Sequence, residues 1–203
     1  MCIRDRFKTR VEGIEGIDCE LKYQIYGNGE IVVSMRLKVK EGLPEMPRIG
    51  MQGKIVGEFK EVSWYGRGPH ESYWDRKTGA AVGIYSCEVE ELIHKYVRPQ
   101  ETGNRTDVRW LKLTNEYGVS VMITGMPMFE FSAWPFEMKD LEIARHVNEL
   151  EFRKDLITLN IDYRQMGVGG DNSWGALPHP EYTLYPGEYE YSFRINVFKS
   201  DLK

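Results

Sequence analysis

The feature that most constrains the fold is a two-residue alternation that follows a Gly27-Asn28-Gly29 turn. Ile31, Val33, Met35, Leu37 and Val39 fall on one side of an extended chain, and Glu30, Val32, Ser34, Arg36 and Lys38 on the other. A run beginning at Cys19 precedes the turn, and two runs joined through Asn-Gly predict a β-hairpin. Gly42, Pro44 and Pro47 then set a loop over 41–48, because proline cannot donate to a sheet ladder. Further extended runs are expected over 56–65, 81–86, 108–114, 119–124, 128–133, 157–163 and 189–198, with only brief helical pieces near 89–94 and 138–144. Short strands punctuated by turn chemistry predict an all-β chain built as a large antiparallel β-sandwich.

A chain of 203 residues with 41% hydrophobic content is long enough for one domain with a substantial core. Its 27 basic and 31 acidic residues give a net charge of −4 and leave no basic stripe, which argues against nucleic acid as a partner. No apolar run approaches the roughly 20 residues that cross a bilayer, and no apolar segment follows the charged opening Met1-Cys2-Ile3-Arg4-Asp5-Arg6, so a soluble, non-membrane chain is expected. Cys2, Cys19 and Cys87 are too few and too scattered for a disulfide framework or a zinc site, and buried free thiols are the simpler reading. A cytoplasmic home fits them, with the periplasm open to a longer chain carrying an export signal.

Three loops, 65–79, 96–110 and 165–180, are dense in Gly, Pro, charge and aromatic residues, and function in a sandwich concentrates on such loops. They hold no nucleophile elbow, no phosphate-binding glycine pattern and no HExxH or HxxxH metal spacing, so no catalytic or metal-ligating residue is assigned. Asp75-Arg76 and Asp107-Val108-Arg109 set opposite charges side by side, a pattern expected to hold loop shape. The most suggestive segment is Gly169-Gly170-Asp171-Asn172-Ser173-Trp174-Gly175. An indole beside a carboxylate and an amide suits a sugar, whose C–H face stacks on the ring while its hydroxyls meet polar groups. Trp174, Asp171 and Asn172 are therefore the candidate substrate-binding residues; the competing reading has Trp174 plugging the end of the core. Trp64, Trp110 and Trp134 sit in strand-like runs and are expected in the core, whereas Trp74, in a loop, fits either use.

The loop sequence Tyr65-Gly66-Arg67-Gly68-Pro69-His70-Glu71-Ser72-Tyr73-Trp74-Asp75-Arg76 resembles the G-x-G-P-x-E-x-Y-x-D-R segment of the small-chain domain of family 2 β-galactosidases. Two more segments agree in the same order: 96–110, containing Pro99-Gln100-Glu101-Thr102-Gly103-Asn104-Arg105, and 160–175, ending in Gly170-Asp171-Asn172-Ser173-Trp174-Gly175. The resemblance runs from about residue 21 to 198 and implies the C-terminal supersandwich of those enzymes, similar to galactose mutarotases. It implies that the acid/base and nucleophile glutamates lie on a (β/α)₈ barrel absent from this chain. On this chain it implies no cofactor, Mg or Na belonging to the barrel, and it points to Trp174 as the aromatic that stacks on the aglycone sugar. A galactoside substrate, the barrel domain and a homo-oligomer are the implied partners. Thr102 departs from the Asn common in the P-Q-E-N-G loop. The family's domain starts several tens of residues earlier, which implies an N-terminally truncated sandwich with residues 1–6 as a non-native leader and 7–203 as one domain. The alternative is a free-standing carbohydrate-binding sandwich without catalysis.

Overall fold

The computed structural model describes residues 2–10, as a strand path, and residues 15–199. Among these, ten strands form one connected antiparallel sheet that branches. They are β1 (Cys2–Arg10), β2 (Ile17–Tyr26), β3 (Ile31–Val39), β4 (Arg48–Val56), β5 (Glu61–Gly68), β6 (Ala81–Glu88), β7 (Arg105–Thr114), β8 (Val119–Trp134), β9 (Leu156–Gln165) and β10 (Glu188–Lys199). The helical content is one short helix, α1 (Met138–Ile143), and three 3₁₀ turns, at Val89–Leu92, Val147–Glu149 and Pro180–Tyr182. The expected all-β sandwich is what the chain forms.

The predicted hairpin is β2–β3, with Ile25 opposite Ile31 and Gly29 at φ +86° closing the turn. The spatial order runs β1-β2-β3-β10-β8-β7-β5-β6, and β9 and β4 branch from β8. That branch rests on the long strand β8, which the sequence divides into two runs. Its first half pairs with β10 up to Met126, and its second half pairs with β9 from Glu130 onward. Between them the chain bends so tightly that a Cβ on Gly125 would lie 2.7 Å from Met128 Cα. Pro127 sits inside the bend, where no ladder hydrogen bond is needed from it.

The β4–β9 branch therefore turns back and packs on the β3–β10 layer. Tyr191 of β10 donates its hydroxyl to Ile161 O of β9 at 2.9 Å, and Val33, Met35, Phe131, Leu159, Ile161 and Phe193 share the enclosed core. Burying each such side chain stabilises the fold by about 1.5–3 kcal/mol. Strand β5 shows the period-two rule most cleanly: Val62, Trp64, Gly66 and Gly68 are buried, and the residues between them are not.

Two strands lie where no run was expected, β1 and β4. Residues 48–56, most of which the alternation leaves outside any strand, form β4, and the run expected over 56–65 is broken at Gly57 before β5 begins. Gly50 and Gly53 weaken the strand signal. Gly50 is nonetheless required, since a Cβ there would meet Asp162 Oδ1 at 1.9 Å. A cross-strand approach decides that glycine, and local propensity cannot report it.

Of the tryptophans expected in the core, Trp64 and Trp134 are fully buried and Trp110 is half-buried. Cys19 and Cys87 are free and half-buried, and burial raises both thiols, that of Cys87 to about 11. The side chain of Cys2 lies outside the described residues.

Candidate functional site

The three loops singled out in the sequence meet at one end of the sandwich, and Asn104 joins them. Its Nδ2 donates to Ser72 O at 3.0 Å and to Glu130 Oε2 at 3.2 Å, while its Oδ1 accepts from Gln165 Nε2 at 3.1 Å. Ser72 N–H donates in turn to Asn104 O at 2.8 Å, and the hydroxyls of Ser72 and Thr106 pair at 2.9 Å. One buried side chain thus ties the segment after β5, the start of β7, the centre of β8 and the end of β9. Arg105, 2% exposed, threads beneath it, donating to Pro69 O at 2.8 Å and Gly103 O at 3.0 Å and lying over Trp64 at 5.2 Å.

Acidic groups line the same junction. Glu71 accepts from Gly103 N at 2.8 Å and pairs with Tyr96 and Arg76; burial opposes its charge, but these donors prevail and hold the carboxyl below its usual range. Arg48 bridges Glu101 at 3.2 Å and Asp162 at 3.0 Å. The second is a charge contact rather than a hydrogen bond, because neither Arg48 Nε nor Asp162 Oδ2 has a hydrogen-bonding partner. Burial dominates for the remaining acids, raising Glu101, Asp162 and, to about 7, Glu130. Thr102, where the resemblance has Asn, brackets His94 with a donated bond to its carbonyl at 3.0 Å and an accepted one from its amide at 2.9 Å.

The sequence-predicted residues Asp171, Asn172 and Trp174 lie together on a turn outside this junction, after β9. Trp174 is 91% exposed, and Leu177 on the same loop is 79% exposed. Trp174 does not plug the core. Asn172 Oδ1 accepts from Trp174 N–H at 2.8 Å, fixing the backbone that carries the indole, and Gly175 at φ +94° reverses the chain behind it. Asp171 Oδ1 is 2.8 Å from His179 Nε2, an ion pair that raises the imidazole above its ordinary value and links the two sides of the loop.

The base of that loop is held by the first motif. Tyr73 and Arg76 exchange backbone bonds of 3.2 and 2.9 Å, so Trp74 and Asp75 form the tip of a tight turn. Trp74 is sandwiched, with Arg164 at 4.3 Å over its ring and Tyr182 edge-on at 5.8 Å. Its loop position left its use open, and it proves to be a half-buried brace. Asp75 Oδ2 accepts from the amides of both Val168 and Gly169 at 2.9 Å. The charge pairs expected to hold loop shape do so with other partners: Asp107 takes Arg67 and Lys77, Arg76 takes Glu71, and Arg109 stacks over Tyr65 at 5.3 Å. The alternation singled out neither Asn104 nor Glu130; the only local trace of Asn104 was its place in the Gly103-Asn104-Arg105 stretch.

Among the described residues no three His, Cys, Asp or Glu side chains stand where they could hold a metal ion, and no helix is long and apolar enough to cross a membrane.

Comparison with known families decides what this arrangement belongs to: residues 3–195 match the model of the β-galactosidase small chain. The chain belongs to the β-galactosidase small-chain family. It is 46% identical over 167 residues to a β-galactosidase of Priestia megaterium, covering 82% of this chain and 16% of that protein. It is 37% identical over 176 residues to a β-galactosidase of Vibrio cholerae, covering 87% of this chain and 16% of that one. This chain thus spans about a sixth of the length of these relatives. Among solved structures, a putative aldose 1-epimerase of Escherichia coli aligns with a TM-score of 0.48 and 10% identity, over 98% of this chain and 66% of that one.

Proposed function

We propose that this small-chain domain completes the aglycone side of a retaining β-galactosidase site, with Trp174 as the stacking surface for the leaving or accepting sugar. The observation that carries this reading is a 91% exposed indole on a turn fixed from both sides. Exposed apolar surface of this kind marks a contact with a ligand or a partner, and a turn already tied at its backbone has less chain to order on binding. Asp171 and Asn172 belong to the site as supports of the turn.

The hydrolytic carboxylates are assigned to a barrel outside this chain. Retaining hydrolysis needs two carboxyl groups about 5–5.5 Å apart, one a nucleophile and one an acid/base. In this chain Glu71 and Glu101 are committed to Arg76, Tyr96, Gly103, Arg48 and Gln165, partners that suit framework carboxylates better than a nucleophile and its acid/base. The barrel would form and hydrolyse the galactosyl intermediate, while Trp174 holds the other sugar by a stack worth on the order of 1 kcal/mol, up to about tenfold in affinity. The same reading gives a galactoside such as lactose as substrate, a soluble cytoplasmic enzyme, and a homo-oligomer when complete.

The test is hydrolysis of a chromogenic aryl β-galactoside by this chain alone and by a mixture with a family enzyme lacking its small-chain domain. Activity in the mixture only is the expected result. Activity of the chain alone would move the catalytic carboxylates to the loops around Glu71, Glu101 and Asp171. Silence in both, together with measurable lactose binding by the chain, would favour a free-standing carbohydrate-binding module.

A further inference from the structure

We infer that Asp75 is a positioning residue for the sugar-stacking turn: its carboxylate sets where Trp174 stands, and so acts on the aglycone through the backbone of residues 167–170. The inference rests on the reading of Trp174 given above and adds to it the device that aims the indole.

Three observations converge on the carboxylate. Asp75 Oδ2 accepts two successive amides, Val168 and Gly169, both at 2.9 Å, a two-pronged charge-assisted grip about twice as strong per bond as a neutral pair. The backbone is cut to fit it. A Cβ on Gly167 would lie 3.0 Å from Asp75 Cγ and 2.9 Å from Tyr182 Cβ, and the Gly167 amide donates to Tyr182 O at 2.7 Å. A Cβ on Gly170 would lie 2.1 Å from Ala176 O, so the two arms of the Trp174 turn touch immediately beyond the grip. The residue that carries the carboxylate sits at the tip of the Tyr73–Arg76 turn beside Trp74, which is held between Arg164 and Tyr182.

The other carboxylate oxygen, Oδ1, is buried without a hydrogen-bonding partner. The orientation that leaves Oδ1 unpaired is the one that lets Oδ2 meet both amides. An asparagine can keep the accepting oxygen but loses the full negative charge that strengthens the grip, so it should hold the turn in part, whereas alanine releases it.

The experiment compares Asp75→Ala, Asp75→Asn, Trp174→Ala and the Asp75→Ala/Trp174→Ala pair in the full-length galactosidase that carries this domain. Amide hydrogen exchange reads the turn directly and steady-state kinetics reads the aglycone. Exchange at Val168 and Gly169 should rise by about tenfold or more in Asp75→Ala and by less in Asp75→Asn. The KM for lactose should rise severalfold, as in Trp174→Ala, with kcat for an aryl galactoside little changed, and the double variant should be no worse than Trp174→Ala alone. Unchanged exchange at these amides would overturn the positioning role, as would a lactose defect in the double variant that exceeds the one from Trp174→Ala. A silent Trp174→Ala with raised exchange in Asp75→Ala would instead sink the aglycone reading and leave the grip standing, so the two failures are distinguishable.

Discussion

Asn104 and Trp174 lie on loops at the same end of the sandwich, yet they answer opposite physical demands. Asn104 is fully buried with both ends of its amide paired, and around it the acids Glu101, Glu130 and Asp162 are driven toward neutrality by burial. Trp174 is almost wholly exposed, held by an asparagine, an ion pair and a glycine rather than by packing. The ionisation shifts of these buried carboxyls therefore mark framework. Perturbed titration is a guide to functional sites only when the group also faces an open cleft. In this junction the shifted carboxyls face one another, an arginine and backbone amides.

The comparison breaks first at Arg105. If the junction is framework, Arg105→Met should destabilise the fold by about 3 kcal/mol or more, since it strands the Pro69 and Gly103 carbonyls in the interior. Thermal or urea unfolding reads this, and a loss below about 1 kcal/mol would show that water reaches those carbonyls.

Glu130 sharpens it through pH. Its carboxyl titrates near 4.5 when unfolded and about 7 when folded, so the folded state holds the proton more tightly. Stability should be greatest below pH 4.5, fall as pH rises to 7, and level off above, a change of about 3 kcal/mol at most from this group, with Asp162 acting in the same direction. Glu130→Gln, which stays neutral, should match the parent near pH 4.5 and exceed it by about 1–3 kcal/mol at pH 8. Equal urea midpoints at both pH values would mean that Glu130 ionises without penalty in the fold.

Trp174→Ala should show the reverse pattern: stability within about 0.5 kcal/mol of the parent, with lactose binding and sugar transfer weakened up to about tenfold in the assembled enzyme. Equal loss on lactose and an aryl galactoside would remove the aglycone role. The smallest effect is at His179. Its ion pair with Asp171 raises the imidazole, so the clasp is complete below the ordinary value of 6.5 and is lost as pH rises through the raised folded one. Amide exchange over 171–175, corrected for its intrinsic pH dependence, should quicken across that window in the parent, and His179→Gln should abolish the step. A step that survives the substitution would place the titrating group elsewhere.

Alternation and turn chemistry carried most of the fold: the β2–β3 hairpin, both halves of β8, β7, β9 and β10 all follow from period-two runs, because a half-buried strand must alternate wherever it lies. The Trp174 turn was legible for the same local reason, since Gly, Asp and Asn around an indole describe a turn that raises an aromatic. Strand β4 was not, because the glycine that weakens its signal is demanded by Asp162, a residue more than a hundred positions away. Nor was the joining of the two runs into β8, which depends on β10 and β9 claiming different halves of it. The sequence could nominate Asp75 and Asp107 as loop charges, but partners are a matter of distance. Tertiary structure alone decided that Asp107 meets Arg67 and Lys77, that Asp75 meets the backbone of the Trp174 loop, and that Asn104 ties three separate segments into one junction.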